Sequence, residues 1–150
     1  MALFRAHEVV NLSAMAGFLY FVPREFFIPF VFGYLFGTFL LSPDIDLKHS
    51  KPSKRWGILR HIWKPYRKLS RHRGSSHVPF LGSFLRVSYI MLLLMIFFYV
   101  LKRWFSFDFS LSHLPDFLYD WAFFAFLGIC LSELMHVALD LLWSSLRKIF

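Results

Sequence analysis

The chain is poor in cysteine: Cys130 is its single one, and it lies inside an apolar run. An intramolecular disulfide is therefore excluded, and the sequence carries no sign of an oxidising compartment. A secretory signal is not evident either, since His7 and Glu8 stand where its apolar stretch would be and no small-x-small cleavage site follows cleanly. We therefore expect the first apolar run to be retained and Cys130 to be a packing residue.

Acidic residues are also scarce, with 9 Asp and Glu against 17 Lys and Arg, so that the formal net charge is +8. Hydrophobic residues are abundant instead. They make up 57% of the 150 residues and include 21 phenylalanines, whereas soluble domains have roughly 45–50% apolar residues with glycine counted. This composition and length predict a small integral membrane protein, with a single membrane-embedded helical domain over residues 1–150.

Four apolar runs, at residues 9–22, 26–41, 78–101 and about 119–143, predict an all-α protein with about four membrane helices. The last two runs are each long enough to span a bilayer. Sixteen helical residues reach only about 24 Å, which is less than the hydrocarbon core of about 30 Å. The first two runs are therefore predicted to be short spans or a re-entrant hairpin.

Positive charge is concentrated between the second and third runs, where residues 48–73 hold ten of the seventeen Lys and Arg residues. The positive-inside rule places this loop in the cytoplasm, and Arg5 and the tail at residues 147–148 fall on the same side. We therefore predict a multi-pass protein of the inner (plasma) membrane with both termini cytoplasmic.

This topology brings metal-preferring side chains together at the cytoplasmic face. They come from the start of the first run, the end of the second, the start of the third and the fourth: His7, Asp44, Asp46, His72, His77, Glu133, His136 and Asp140. Membrane proteins rarely keep such groups unless they bind, pair or react. Mixed carboxylate and imidazole ligands suit zinc first, with manganese or iron(II) also fitting, and disfavour calcium. The sequence thus predicts a divalent metal site.

Glu133, His136 and Asp140 are spaced i, i+3 and i+7, which places them on one stripe of a helix. This stripe is predicted to face the interior of the bundle rather than lipid. The alternative interpretation of the His136 and Asp140 pair is an interhelical hydrogen bond without metal.

Asp44 and Asp46 follow Pro43, which predicts an extended backbone with both carboxylates on the same side. Two such carboxylates would repel each other unless a cation lay between them. The alternative is a capping turn, in which the aspartates bind backbone N–H groups and a nearby arginine.

Residues 71–77, before the third run, read Arg-His-Arg-Gly-Ser-Ser-His. The glycine permits a tight turn, and the serines after it can cap the third helix. The pole of that helix attracts an anion, Arg73 offers a fork for phosphate or carboxylate oxygens, and His77 is predicted beside that anion. The alternative is that His77 is a neutral residue at the helix start and that His72 is solvated.

The loop at residues 56–69 is amphipathic and bent at Pro65. Its two faces hold Trp56, Leu59, Ile62, Trp63, Tyr66 and Leu69 on one side and Arg60, Lys64, Arg67 and Lys68 on the other. We interpret it as an interfacial segment on the anionic headgroups of membrane lipids. Interleaved basic and aromatic residues also occur in nucleic-acid sites, but the positive-inside bias already accounts for the charge.

Four elements in order resemble the YdjM-like family of inner-membrane metal-dependent hydrolases: His7, Ser-Pro-Asp-Ile-Asp at 42–46, His-Arg-Gly-Ser-Ser-His at 72–77, and His136-x-x-x-Asp140. Arg55-Trp56 and Trp63-x-Pro65-Tyr66 look still more like a related family of uncharacterised metal-binding membrane proteins. The resemblance covers nearly the whole chain and implies a helical membrane protein that binds one or more divalent metals. A more distant similarity, to zinc-dependent phospholipases C and nucleases, implies phosphoester chemistry, although their dense histidine set is lacking here.

These features predict a membrane-bound, metal-dependent, phosphoesterase-like hydrolase with a phosphorylated or lipid-linked substrate. Asp46 or Glu133 would be the general base, and Arg73 would hold the developing negative charge. The alternative is a non-catalytic metal-binding or metal-sensing protein with a closed structural site. A transporter is disfavoured, since the outer half of each run is nearly pure Phe, Leu and Ile. A homo-oligomer is compatible with four short helices, which bury little surface, but no motif specifies one.

Overall fold

The computed structural model describes residues 2–69, 78, 80–105 and 115–149, with side-chain positions for 8–69, 78, 80–104 and 115–146. Within these ranges the chain forms six α-helices: α1 (Ala2–Leu19), α2 (Phe27–Phe39), α3 (Lys51–Arg55), α4 (Trp63–Leu69), α5 (Leu81–Phe105) and α6 (Phe117–Ile149). Three short 3-10 helices lie between them, at Arg24–Phe26, Pro43–Asp46 and Gly57–Ile62. The described residues contain no strand, which confirms the all-α class.

Among the described helices, two are long and apolar enough to cross a membrane, Leu81–Trp104 in α5 and Phe117–Leu146 in α6. The 24 residues of the first reach about 36 Å, which exceeds the hydrocarbon core. Many large apolar side chains of α5, such as Met95 and Phe97, are exposed, and a surface of this kind is normally covered by lipid or by a partner. The helices α1 and α2 are shorter, so four membrane crossings stay a prediction.

The helices α2 and α6 pack with their backbones in contact because small residues line both sides. Gly33 and Gly37 lie one turn apart on α2, with the small-xxx-small spacing of closely packed membrane helices. A Cβ atom on Gly33 would lie 1.9 Å from the carbonyl oxygen of Ala125. One on Gly128 would lie 2.4 Å from the carbonyl oxygen of Phe30. Side chains larger than hydrogen are therefore excluded at the crossing.

We expect Gly33→Ala to destabilise the protein by about 1–3 kcal/mol, because the added methyl group would force the two backbones apart. Gly17→Ala is the matched control, since a Cβ atom there meets nothing within 4 Å. Thermal unfolding in detergent measures both variants. Equal melting temperatures for the two would contradict the close crossing of α2 and α6.

Buried hydrogen bonds attach α1 to this pair of helices. The side-chain amide of Asn11 donates to the carbonyl oxygen of Ser132 at 3.2 Å. The hydroxyl of Tyr34 lies 3.0 Å from both the backbone oxygen and the side-chain oxygen of Asn11. All three residues are almost completely buried. Since buried polar groups are costly without partners, this network specifies how α1 docks.

The loop between α2 and α5 folds onto the helices instead of lying free. Trp63 is fully buried and Tyr66 nearly so, in a cluster with Leu41, Ile45 and Ile129. This corrects the prediction that the whole apolar face of residues 56–69 lies on the membrane, since its central rings are covered by protein. The physical reason is that an apolar face is satisfied equally by lipid or by a neighbouring hydrophobic core.

Candidate metal centre

Three of the predicted ligands come together where the 3-10 helix Pro43–Asp46 meets α6. The Nε2 atom of His136 lies 3.7 Å from Oδ2 of Asp44 and 3.5 Å from Oδ2 of Asp140. The imidazole is almost completely buried, and Asp44 is partly exposed. His136 and Asp140 share a face of α6 because four residues make about one helical turn. The two aspartates therefore approach one imidazole nitrogen from different elements.

The local fold of the Asp44 segment differs from the prediction of an extended backbone. Residues Pro43–Asp46 form a 3-10 helix, in which the N–H of Ile45 donates to the carbonyl of Ser42 at 2.9 Å. The extended prediction is wrong because the fixed φ of proline suits the first position of a helix as well as an extended chain. With three residues per turn, Asp44 and Asp46 point in different directions.

The distances around His136 are close to those between two atoms that bind the same metal ion. Two ligand atoms that each lie about 2.1 Å from one tetrahedral ion are separated by about 3.4 Å. The separations of 3.5 and 3.7 Å from Nε2 are close to this value and exceed the usual N–H···O hydrogen bond. Within the described ranges, however, no three His, Cys, Asp or Glu side chains are grouped tightly enough to hold a metal. Two carboxylates and an imidazole are donors that a divalent ion accepts, and the roles of these three residues as ligands stay a prediction.

An arginine that the sequence analysis did not single out holds the Asp44 segment in place. The Nε atom of Arg67 donates to the carbonyl oxygen of Ile45 at 3.0 Å, and its Nη2 atom donates to Oγ of Ser53 at 2.6 Å. Burial lowers the pKa of the Arg67 guanidinium, while the nearby Asp46 carboxylate acts in the opposite direction. The sequence offers no signal that separates Arg67 from the other cations of the loop.

Glu133, a predicted general base, is buried one turn before His136 and forms an ion pair with α5. Its Oε1 atom lies 2.6 Å from Nη2 of Arg86, and its Oε2 atom accepts a hydrogen bond from Ser83. Both charged side chains are almost inaccessible to solvent. A role for Arg86 was not predicted from the sequence. Its position as a lone arginine early in the third apolar run could have indicated one, because charged residues in such runs are usually paired or functional.

Several predicted site residues lie outside the described part of the chain. His72, Arg73 and His77 fall in the range 70–77, and the side chain of His7 is likewise not described, although its backbone belongs to α1. Asp46 is partly buried at the end of its 3-10 helix. The metal and catalytic roles of all these residues stay predictions.

Over its described residues the chain is all-helical, with two candidate membrane helices and a His–Asp cluster where a loop meets the second of them. The chain belongs to the family described as "uncharacterized metal-binding protein (DUF2227)", whose sequence profile matches residues 3–150. The predicted metal-binding family is thereby confirmed, whereas the resemblance to YdjM-like hydrolases stays a prediction.

One similar protein is an "uncharacterized protein" of Aquifex aeolicus (strain VF5). It is 41% identical over 139 residues, which cover 85% of this chain and 98% of the relative. No solved structure matches the chain.

Proposed function

We propose that the protein is a membrane-bound, metal-dependent hydrolase of the phosphoesterase type. The observation that carries this proposal is the approach of Asp44 and Asp140 to a single nitrogen of His136. Membership of a metal-binding family supports the presence of an ion. Carboxylate and imidazole ligands together are typical of catalytic zinc, manganese and iron(II) sites.

In this proposal Asp44, His136 and Asp140 hold one side of the ion, and His77 is the first candidate to complete its ligands. His7, Asp46 and His72 are the further predicted ligands. We place zinc first among the metals because histidine and aspartate are common zinc ligands. Catalysis also requires a coordination position that no side chain fills, so with four protein ligands the water would occupy a fifth position.

A bound divalent ion would polarise a phosphoryl oxygen and make water more acidic. Asp46, on the same 3-10 helix as Asp44, is then the candidate general base that accepts the proton from the attacking water. Arg73 would bind the phosphate oxygens and stabilise their charge in the transition state. Glu133 is the weaker candidate for the base, because its carboxylate already pairs with Arg86.

The proposed location is the inner membrane, with α5 and α6 as spans and the metal centre on the cytoplasmic side. The basic loop at residues 48–73 supports this orientation through the positive-inside rule. Both termini then lie in the cytoplasm, and the shorter helices α1 and α2 cross a thin bilayer or re-enter it.

A second candidate function is a non-catalytic site in which the metal ties the helix ends together. The buried pair of Glu133 and Arg86 favours it. Of the two predicted general bases, Glu133 is engaged in this ion pair and is shielded from water. In that case metal binding would raise the free energy of unfolding, by about 2.7 kcal/mol at a hundred times the dissociation constant, without hydrolysis.

The test is phosphoesterase turnover by the detergent-purified protein before chelation, after chelation, and after zinc, manganese or iron(II) is restored. We expect turnover to be lost on chelation and regained with one of these metals. Equal rates with and without metal would contradict hydrolysis by this site. A metal-dependent rise in melting temperature without turnover would favour the structural alternative.

Elemental analysis of variants tests the ligand assignment separately. We expect close to one metal per chain in the wild type and a loss of metal in Asp44→Asn and in His77→Ala. His49→Ala is the control, since His49 is an exposed residue of the loop. Variants that keep their metal would show that the proposed ligand set is misplaced.

A further inference from the structure

The loop between α2 and α5 has one face anchored on the helices. Trp63 and Tyr66 are buried in the cluster with Leu41, Ile45 and Ile129. The indole N–H of Trp56 donates to the carbonyl oxygen of Leu40 at 3.0 Å. These contacts fix the orientation of the loop, so its opposite face is turned away from the protein.

Ile58 and Leu59 form an apolar turn on this outward face. Ile58 is 89% exposed and Leu59 is 59% exposed. The turn begins at Gly57, whose φ of +54° is a conformation that other residues rarely adopt. Exposed cations surround it in the sequence: Lys54, Arg60 and Lys64. The pair is thus apolar and flanked in sequence by cations, and we call Lys54, Ile58, Leu59, Arg60 and Lys64 the loop tip.

The loop tip lies close to α5. The hydroxyl of Tyr89 donates to the carbonyl oxygen of Ile62. Tyr89 lies eight residues into the candidate span Leu81–Trp104, or about 12 Å along the helix. Ile58 precedes Ile62 by four residues of 3-10 helix, about 8 Å. Ile58 therefore lies about 8 Å from the carbonyl group that contacts the half of the candidate span nearer Leu81.

The loop that carries the loop tip is strongly basic in sequence, although Glu8 of α1 pairs with Arg55 beside the tip. The sequence contains no Asp or Glu from residue 47 to residue 107, whereas residues 48–68 include eight Lys and Arg. Clusters of four to eight cations beside a membrane helix attract anionic lipids. Two aliphatic side chains at the same place add apolar insertion to that attraction.

We propose that the loop tip binds anionic phospholipid, with Ile58 and Leu59 inserted among the acyl chains and Arg60 and Lys64 on the headgroup phosphates. This lipid contact would hold the loop that carries Arg67, and through Arg67 the backbone of Ile45 beside Asp44. The proposal depends on the membrane location and not on metal or turnover.

The structure favours lipid over single-stranded nucleic acid as the occupant. Nucleic-acid sites of this kind stack bases on exposed aromatic rings. Here the ring of Trp63 is fully buried, that of Tyr66 is nearly so, and Trp56 is half-buried. The apolar side chains that the loop tip exposes, Ile58 and Leu59, are aliphatic and have no ring face on which a base could stack.

The experiment titrates the detergent-purified full-length protein with short-chain phosphatidylglycerol and, separately, with phosphatidylcholine of the same chain length. We expect phosphatidylglycerol to bind at least tenfold more tightly. The double variant Arg60→Gln/Lys64→Gln should lower its affinity about tenfold, because each cation near a lipid surface contributes to binding. Ile58→Ser/Leu59→Ser should weaken the binding of both lipids.

The matched control is Lys102→Gln/Arg103→Gln, which removes two exposed cations from the other end of α5. It should bind phosphatidylglycerol like the wild type. Equal affinities of the wild type for the two lipids, or an equal loss in the control, would overturn the proposal. So would tighter binding of a single-stranded oligonucleotide at physiological salt. Lipid affinities are measured with and without chelator. Because lipid binding should not depend on metal, failure of this proposal can be distinguished from failure of the proposed hydrolase.

Discussion

Replacing Glu133 with alanine is expected to destabilise the protein by about 3–5 kcal/mol, because the charge of Arg86 would stay buried without its carboxylate. The two groups lie 2.6 Å apart and are almost inaccessible to solvent. Ser83 would lose its acceptor as well. Chemical unfolding of the wild type and the variant in the same detergent measures the difference.

The double variant Arg86→Met/Glu133→Leu is the control that separates charge burial from packing. Replacing a buried ion pair by apolar residues of similar volume is often neutral or stabilising, so the double variant should recover most of the lost stability. If it also hydrolyses phosphoesters at the wild-type rate, Glu133 is not the general base. A Glu133→Ala variant as stable as the wild type would contradict a structural role for the pair.

Replacing His136 with alanine is expected to lower the metal affinity by a factor of at least about 100, because the nitrogen that both aspartates approach is removed. Even the loss of a partner that only orients a ligand typically costs 10–100-fold in affinity. Competition with a chromogenic chelator measures the change on the purified protein.

Asp140→Asn provides a graded comparison, since it keeps the shape of the side chain and removes its charge. We expect its affinity to fall between those of the wild type and His136→Ala, because an amide oxygen is a weaker ligand than a carboxylate. Unchanged metal affinity in both variants would exclude a metal site at Nε2 of His136. The predicted ligands in residues 70–77 would then be the candidates for binding the metal.

The sequence predicted the helices and part of the cluster because both depend on periodicity and chain order. Apolar runs indicated α5 and α6, and the i, i+4 spacing placed His136 and Asp140 on one face. The end of the second run was expected to meet the fourth, and Asp44 does lie near His136.

The features that the sequence did not predict depend on which partner covers a face or satisfies a charge. Trp63 belongs to an amphipathic pattern that is identical for a segment on lipid and a segment on a protein core. Arg67 is one cation among many, and only folding brings it to the carbonyl of Ile45. Pro43 is compatible with both an extended chain and a 3-10 helix, so the direction of Asp46 could not be derived.

The glycine contacts between α2 and α6 also set the position of Asp44 relative to His136 at the candidate metal centre. The helix α2 ends at Phe39, and Asp44 follows five residues later, while His136 lies eight residues after Gly128 on α6. Each side of the centre is therefore tied by a short length of chain to the same backbone crossing. A shift of one helix along the other by a single residue, about 1.5 Å, would separate Asp44 from His136 without altering any ligand.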